Sequence, residues 1–200
     1  MTGRELAIPG AWEISPLVRP DDRGQFFEWF TQRQFAEMTG HCFDLQQANF
    51  SVSAAGVLRG LHFAELPPSQ AKFVTCLRGA LFDVVVDIRV GSPTYGRWVS
   101  TRLDDRNRRS VYVSEGLAHG FLALEADSTV MYLCSAPYTP EREHAIAPMD
   151  PQLAIDWPSV GDMRMSARDR DAPTLEQARE AGLLPSWEDC RKFVEGLRRA

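Results

Sequence analysis

Most of the middle of the chain alternates apolar and polar positions with the two-residue period of a strand. Between Lys72 and Ser135 it reads KFVTCL, LFDVVVDIRV, RWVSTRL, SVYVS, HGFLALE and TVMYLCS, all rich in β-branched and aromatic residues. They are separated by RG, GSPTYG, DDRNR, EG and EAD, which are turn chemistry. In RWVSTRL, Trp98, Ser100 and Arg102 share one face, and Val99, Thr101 and Leu103 share the other. LFDVVVDIRV is apolar on both parities, which predicts a central strand covered on both sides. Short strands at this spacing, with no helical pattern between them, predict an all-β antiparallel sandwich or barrel rather than a βαβ fold.

Helical signals are few. Thr31 with Gln34 forms a capping box ahead of TQRQFAEM, and Gly40 is placed to end that helix. Thr174 with Gln177 repeats the device ahead of LEQARE, with Pro173 before it and Gly182 and Pro185 closing the segment. Ser186 with Asp189 predicts a last helix through CRKFVEGLRR. No repeat, low-complexity tract or linker interrupts the chain. One domain over residues 1–200 is expected, with a β core at about 45–160 and a helical segment at about 170–200.

Composition narrows the function classes. Two hundred residues, 44% hydrophobic and 24% charged, suit one globular domain that needs no disulfide or metal to staple it. The net charge of -5 weighs against nucleic acid or an anionic membrane as partner, yet a local basic pocket can still hold a small anion. The four cysteines, Cys42, Cys76, Cys134 and Cys190, form no CxxC pair; reduced structural thiols are expected, with zinc or a disulfide framework as alternatives. MTGRELAIPGAWEISPL lacks a signal-peptide core, and no run approaches the roughly 18 apolar residues of a membrane span. A cytoplasmic location is expected.

The candidate chemistry centres on His62, in GVLRGLHFAELPP, and His119, in EGLAHGF. A lone histidine is usually a hydrogen-bonded structural residue, so the neighbours decide. Arg59 stands three residues before His62, and Lys72 follows ten residues after it, beyond a Pro-Pro turn; a hairpin there could bring Lys72 beside His62. Histidines in a β-barrel also suggest metal. Metal-binding cupins usually carry an H-x-H pair, and position 64 is alanine, but His62, Glu65 and His119 remain a two-His, one-carboxylate candidate. Tyr132 shares a face with Val130 and Cys134 and reads equally as a core tyrosine or a functional one. Tyr138, in SAPYTPE, sits where an aromatic is exposed and free to stack, and Asp169, in MSARDRD, reads by default as a solvated turn residue. No serine lies in G-x-S-x-G, and no Rossmann or Walker glycine loop is present.

Together DDRGQFFEWF, QANFSVSAAGVLRGLHF, QAKFVTCLRGALFDVVVDIRVGSPTYGRW, YVSEGLAHGF, MYLCSAPYTPERE and DPQLAIDWP resemble the dTDP-4-dehydrorhamnose 3,5-epimerases and related deoxysugar epimerases, in that family's order and spacing. The resemblance implies a cupin-type jelly roll with short C-terminal helices, working as a homodimer without metal or organic cofactor on a dTDP-4-keto-6-deoxyhexose. It implies that His62 is the general base oriented by Asp169, Lys72 the partner of the C4 oxygen, and Tyr132 the acid on the opposite sugar face. Arg23, Phe26, Glu28, Gln47, Asn49, Arg59, His119, Glu143 and Arg168 fall where the family contacts the nucleotide sugar, and Tyr138 where it stacks on thymine.

The chemistry calls for such residue types. A C4 ketone acidifies the C3 and C5 hydrogens, a neutral histidine can remove one, and a carboxylate on its other nitrogen fixes the tautomer. A lysine ammonium neutralises the growing enolate oxygen, and inversion needs a second acid on the other face. Arginine suits a diphosphate through its bidentate fork. This chain has Leu133 where rhamnose-pathway enzymes carry lysine after the Tyr132 position, and VVVDIRVGSPTYG, RLDD and SEGLAHGF look closer to epimerases of antibiotic sugar pathways, some of which invert C3 or C5 alone. A metal-dependent cupin and a non-catalytic sugar-binding cupin are the alternatives from other classes.

Overall fold

The computed structural model describes residues 1–67 and 69–199; Pro68 of the Pro-Pro turn and Ala200 lie outside the described residues. The strands are β1 (Thr2–Glu5), β2 (Ala11–Ser15), β3 (Arg19–Asp21), β4 (Gly24–Phe26), β5 (Gln47–Ser53), β6 (Leu58–Ala64), β7 (Lys72–Arg78), β8 (Ala80–Asp87), β9 (Trp98–Asp104), β10 (Ser110–Val113), β11 (Leu117–Ala123), β12 (Ser128–Cys134) and β13 (Glu143–Ala145). The helices are α1 (Gln32–Thr39), α2 (Ala167–Arg170), α3 (Leu175–Glu180) and α4 (Trp187–Leu197).

Among the described residues, one sheet runs β1-β2-β10-β7-β12-β5 and a second β13-β6-β11-β8-β9, while β3 and β4 pair as a separate hairpin. The two larger sheets face each other as an antiparallel jelly roll. Val74, Cys76, Val111 and Val130 of the first meet Leu81, Val85, Leu103, Leu117 and Phe121 of the second. β8 lies between β11 and β9, and both its faces are covered as its double apolar parity predicts. Leu81 and Val85 enter the core between the sheets, while Val84 and Val86 pack outside with Leu175 and Ala178 of α3. The outer face of the first sheet is sealed by Phe35 of α1 and by Phe43, which pack on Phe73, Tyr112 and Leu133.

Some local expectations shift. The sheet takes in β1 and β2, ahead of the expected 45–160 core, because β2 pairs with β10 despite its mixed burial. Thr31 does precede α1 and Gly40 ends it at φ +82°, but the Thr31 side chain makes no capping bond. Gln34 instead accepts from the Met1 ammonium, so the tertiary partner displaces the reciprocal cap. At α3 the Thr174–Gln177 box forms in full. Ser186 caps α4 by accepting from the Asp189 N–H. β6 and β7 are not a hairpin: they belong to different sheets, so any meeting of His62 and Lys72 occurs across the sandwich.

Candidate active site

Two facing glycines set the local geometry. Gly60 of β6 has φ +122°, and a Cβ there would lie 2.5 Å from Gly120 Cα; one on Gly120 would lie 2.8 Å from the Arg59 carbonyl oxygen. This close approach of β6 and β11 makes His62 and His119 direct register partners, just before the register shifts toward Phe121. Both rings therefore stand side by side on the inward face.

Asp169 lies in α2, whose Ser166 cap accepts from the Asp169 N–H at 3.1 Å. Its segment alone suggested a solvated turn residue, but the side chain is buried. Its Oδ1 lies 2.7 Å from His62 Nε2, and the Gly60 N–H donates to Oδ2 at 3.4 Å. Burial works to raise the Asp169 pKa; the hydrogen bond and charge of His62, with the Gly60 and Ser166 contacts, outweigh it and hold the carboxyl below its usual value. An ionised carboxylate accepts, so His62 carries its proton on Nε2 and Nδ1 is left as the basic nitrogen.

Lys72 and Tyr132 come from the opposite sheet, on β7 and β12. Burial pulls the Lys72 pKa down, with Glu143 and Cys134 pulling back and Arg168 adding to the depression. Burial raises the Tyr132 pKa, with Cys134 and Glu143 adding to it and Arg59 opposing, so the phenol stays protonated at neutral pH and can act as an acid. A cavity of about 300 Å³ is lined by His62, Lys72, Tyr132, Gln47, Asn49, Gln70, Tyr138, Glu143 and Arg168. A second, about 170 Å³, is bounded by His62, Lys72, Tyr132, Arg59, Ser51 and His119.

Residues 5–177 match the family model described as dTDP-4-dehydrorhamnose 3,5-epimerase. The chain belongs to that family. It is 64% identical over 199 residues to the dTDP-4-dehydrorhamnose 3,5-epimerase of Mycolicibacterium smegmatis, covering 100% of this chain and 98% of the relative. The solved structure of an epimerase from Mycobacterium tuberculosis superimposes with a TM-score of 0.97 at 60% identity, over 98% of this chain and 100% of that one. A 3'-monoepimerase from Streptomyces bikiniensis, solved with dTDP-quinovose, gives a TM-score of 0.95 at 45% identity, over 98% of both chains.

In this epimerase the remaining expected residues divide into two groups. Gln47, Asn49, Arg59, His119, Tyr138, Glu143 and Arg168 all line cavities that include His62. Tyr138 is exposed but held: its N–H donates to Gln47 Oε1 at 2.9 Å and its hydroxyl accepts from Arg168 at 3.3 Å. Arg168 also donates to the Glu143 carbonyl oxygen at 2.8 Å. Arg23, Phe26 and Glu28 stand apart, exposed on or just after the β3–β4 hairpin, and Arg23 pairs with Asp21. The two-His, one-carboxylate candidate does not assemble. Glu65 holds His144 at 2.8 Å, His62 and His119 each face their own aspartate, and the described residues contain no cluster of three such side chains suited to a metal.

Sequence reasoning missed Gln70, Ser51 and Asp83. Asp83 carried a readable signal, a carboxylate in the middle of an apolar strand on the parity of Leu81 and Val85. A separate cavity of about 300 Å³ between α4 and β2, lined in part by Trp12, His41, Arg89 and Trp187, shares no residue with this site. The four cysteines are free, and among the described residues no helix is long and apolar enough to cross a membrane.

Proposed function

We propose that this epimerase inverts C3 and C5 of dTDP-4-keto-6-deoxy-D-glucose next to the C4 ketone, giving dTDP-4-keto-L-rhamnose. The observation that carries the reading is the placement of base and acid on opposite walls, His62 on β6 of one sheet and Tyr132 on β12 of the other. His62 Nδ1 takes the proton from carbon, and the C–H electron pair becomes a C=C bond to C4 while the carbonyl opens to an enolate. The Lys72 ammonium pairs with the enolate oxygen, whose negative charge restores to Lys72 what burial removes. Tyr132 then delivers a proton to the other face of the carbon as the carbonyl re-forms, and solvent returns both groups to their starting states. Arg59 and Arg168 suit the diphosphate, and exposed Tyr138 suits the thymine face.

The reading includes a homodimer. The β3–β4 hairpin lies outside both larger sheets and exposes Phe26, and β5 is a sheet edge that exposes Phe50 and Val52. Pairing of two copies there covers both surfaces and carries Arg23, Phe26 and Glu28 toward a partner's cleft. Light scattering on a Phe50→Glu variant should report a monomer, and a dimer that survives the change argues against this interface. Free thiols, one of them the exposed Cys42, fit a reducing compartment, here the cytoplasm.

Incubation with the ketosugar in D2O, followed by NMR, tests the reaction. Deuterium and inversion at both carbons support it, and no label at either carbon sinks it. Inversion at one carbon supports the second reading, a mono-epimerase, which the likeness to the Streptomyces bikiniensis 3'-monoepimerase favours.

A further inference from the structure

The inward face holds a second His–Asp pair that the reaction above does not use. Asp83 Oδ2 lies 2.8 Å from His119 Nε2, and Asp83 is 1% exposed. Among the described residues its other oxygen, Oδ1, has no hydrogen-bond partner, and neither has the hydroxyl of Thr101, its register partner on β9. Among the described residues, His119 is thus the one side chain that the Asp83 carboxylate engages. The fold does not ask for an acid at this position, since Leu81 and Val85 occupy the same parity and pack between the sheets. A buried carboxylate with half its capacity unused is costly, and an apolar residue would sit there without that cost.

We propose that Asp83 is a positioning residue: it fixes His119 with its proton on Nε2, so that Nδ1 is the nitrogen offered to the sugar. The inference rests on the epimerase reading of the cleft. An ionised carboxylate can only accept, so the nitrogen facing it carries hydrogen in either charge state of the ring. His119 borders the cavity shared by His62, Lys72 and Tyr132, and Nδ1 has no partner among the described residues. With Nε2–H held, neutral His119 accepts a hydrogen bond from a hexose hydroxyl. Without the tether the ring can carry its proton on Nδ1 and turn that acceptor into a donor. An Asp→Asn change beside a histidine can produce this tautomer switch while leaving the geometry intact.

The test is ¹⁵N NMR of histidine-labelled protein, with His119 assigned through a His119→Gln variant, alongside steady-state kinetics on dTDP-4-keto-6-deoxyglucose. Wild type should show His119 protonated on Nε2. Asp83→Asn should move that proton to Nδ1, leave the His62 pattern unchanged, raise KM about tenfold and change kcat by less than about threefold. A wild-type His119 protonated on Nδ1 overturns the proposal and needs no variant to fold. So does an Asp83→Asn enzyme with unaltered KM or unaltered tautomer. His62→Ala separates the two levels. If it keeps C–H exchange, the epimerase reading of the site fails; if it loses exchange while Asp83→Asn is silent, only the role of Asp83 fails.

Discussion

The His62–Asp169 and His119–Asp83 pairs join the same residue types through the same histidine nitrogen, Nε2, at 2.7 and 2.8 Å, with the two histidines on neighbouring strands. Their settings differ. Asp83 comes from the adjacent strand β8, so the inner pair is built into the sheet. Asp169 arrives from α2, 107 residues along the chain, and is brought in by a helix cap and a glycine N–H. The His62 side chain is 32% exposed and that of His119 9%, with Asp83 fully shielded. A group that takes and returns a proton needs a route to solvent, whereas one that only holds a hydrogen bond works best fixed. On the proposed reading, the same dyad serves as acid–base machinery where it is wet and as a rigid contact where it is dry.

The largest effect expected on this contrast is at His62. His62→Ala should lower deuterium exchange at the sugar by about a thousandfold or more, within the range for removal of a general base. An equal loss from His119→Ala would erase the distinction between the two pairs.

Asp169→Asn should lower kcat by about a hundredfold and alter stability in acid. The folded Asp169 carboxyl is held below its usual value of 3.8, so its contribution is complete above that value and is lost as pH falls through the lower folded one. The Tm difference between wild type and Asp169→Asn should stay level above about pH 5 and shrink below about pH 4. A difference that grows in acid would contradict the depressed carboxyl.

Tyr132→Phe should reduce net inversion by about tenfold or more while sparing exchange, because removal of the carbon proton does not use the phenol. Unchanged epimerisation would remove Tyr132 from its role. The smallest effect on chemistry is expected at Leu133, which packs with Phe73 and Phe35 on the outer face of its sheet. Leu133→Lys should lower Tm, since it buries an ammonium in an aromatic cluster, but leave the ratio of C3 to C5 inversion unchanged. A shifted ratio would show that this outer face reaches the sugar.

That last case marks a limit of reading the chain alone. Alternation along TVMYLCS already puts Tyr132 and Leu133 on opposite faces, but which face meets substrate depends on what covers the other. The aromatic cluster around α1 decides it. His62 and Lys72 were legible as candidates, yet the hairpin expected to join them does not exist, because the chain crosses to the other sheet between β6 and β7. Asp169 could not be told from a solvated turn residue by its own segment. Asp83 was legible as an anomaly in an apolar strand, but its partner sits on a strand that follows two intervening ones.

The sequence by itself determined the strands between Lys72 and Ser135, the doubly covered β8, two of the three expected helix caps and the residue types the chemistry requires. These follow from periodicity, turn chemistry and side-chain bonds between residues a few positions apart, all local in the chain. Tertiary structure decided which wall each group occupies, which histidine is wet, and which aspartate reaches which ring. Those are set by sheet order and by the close approach of Gly60 and Gly120, where strands distant in sequence meet and local pattern carries no information.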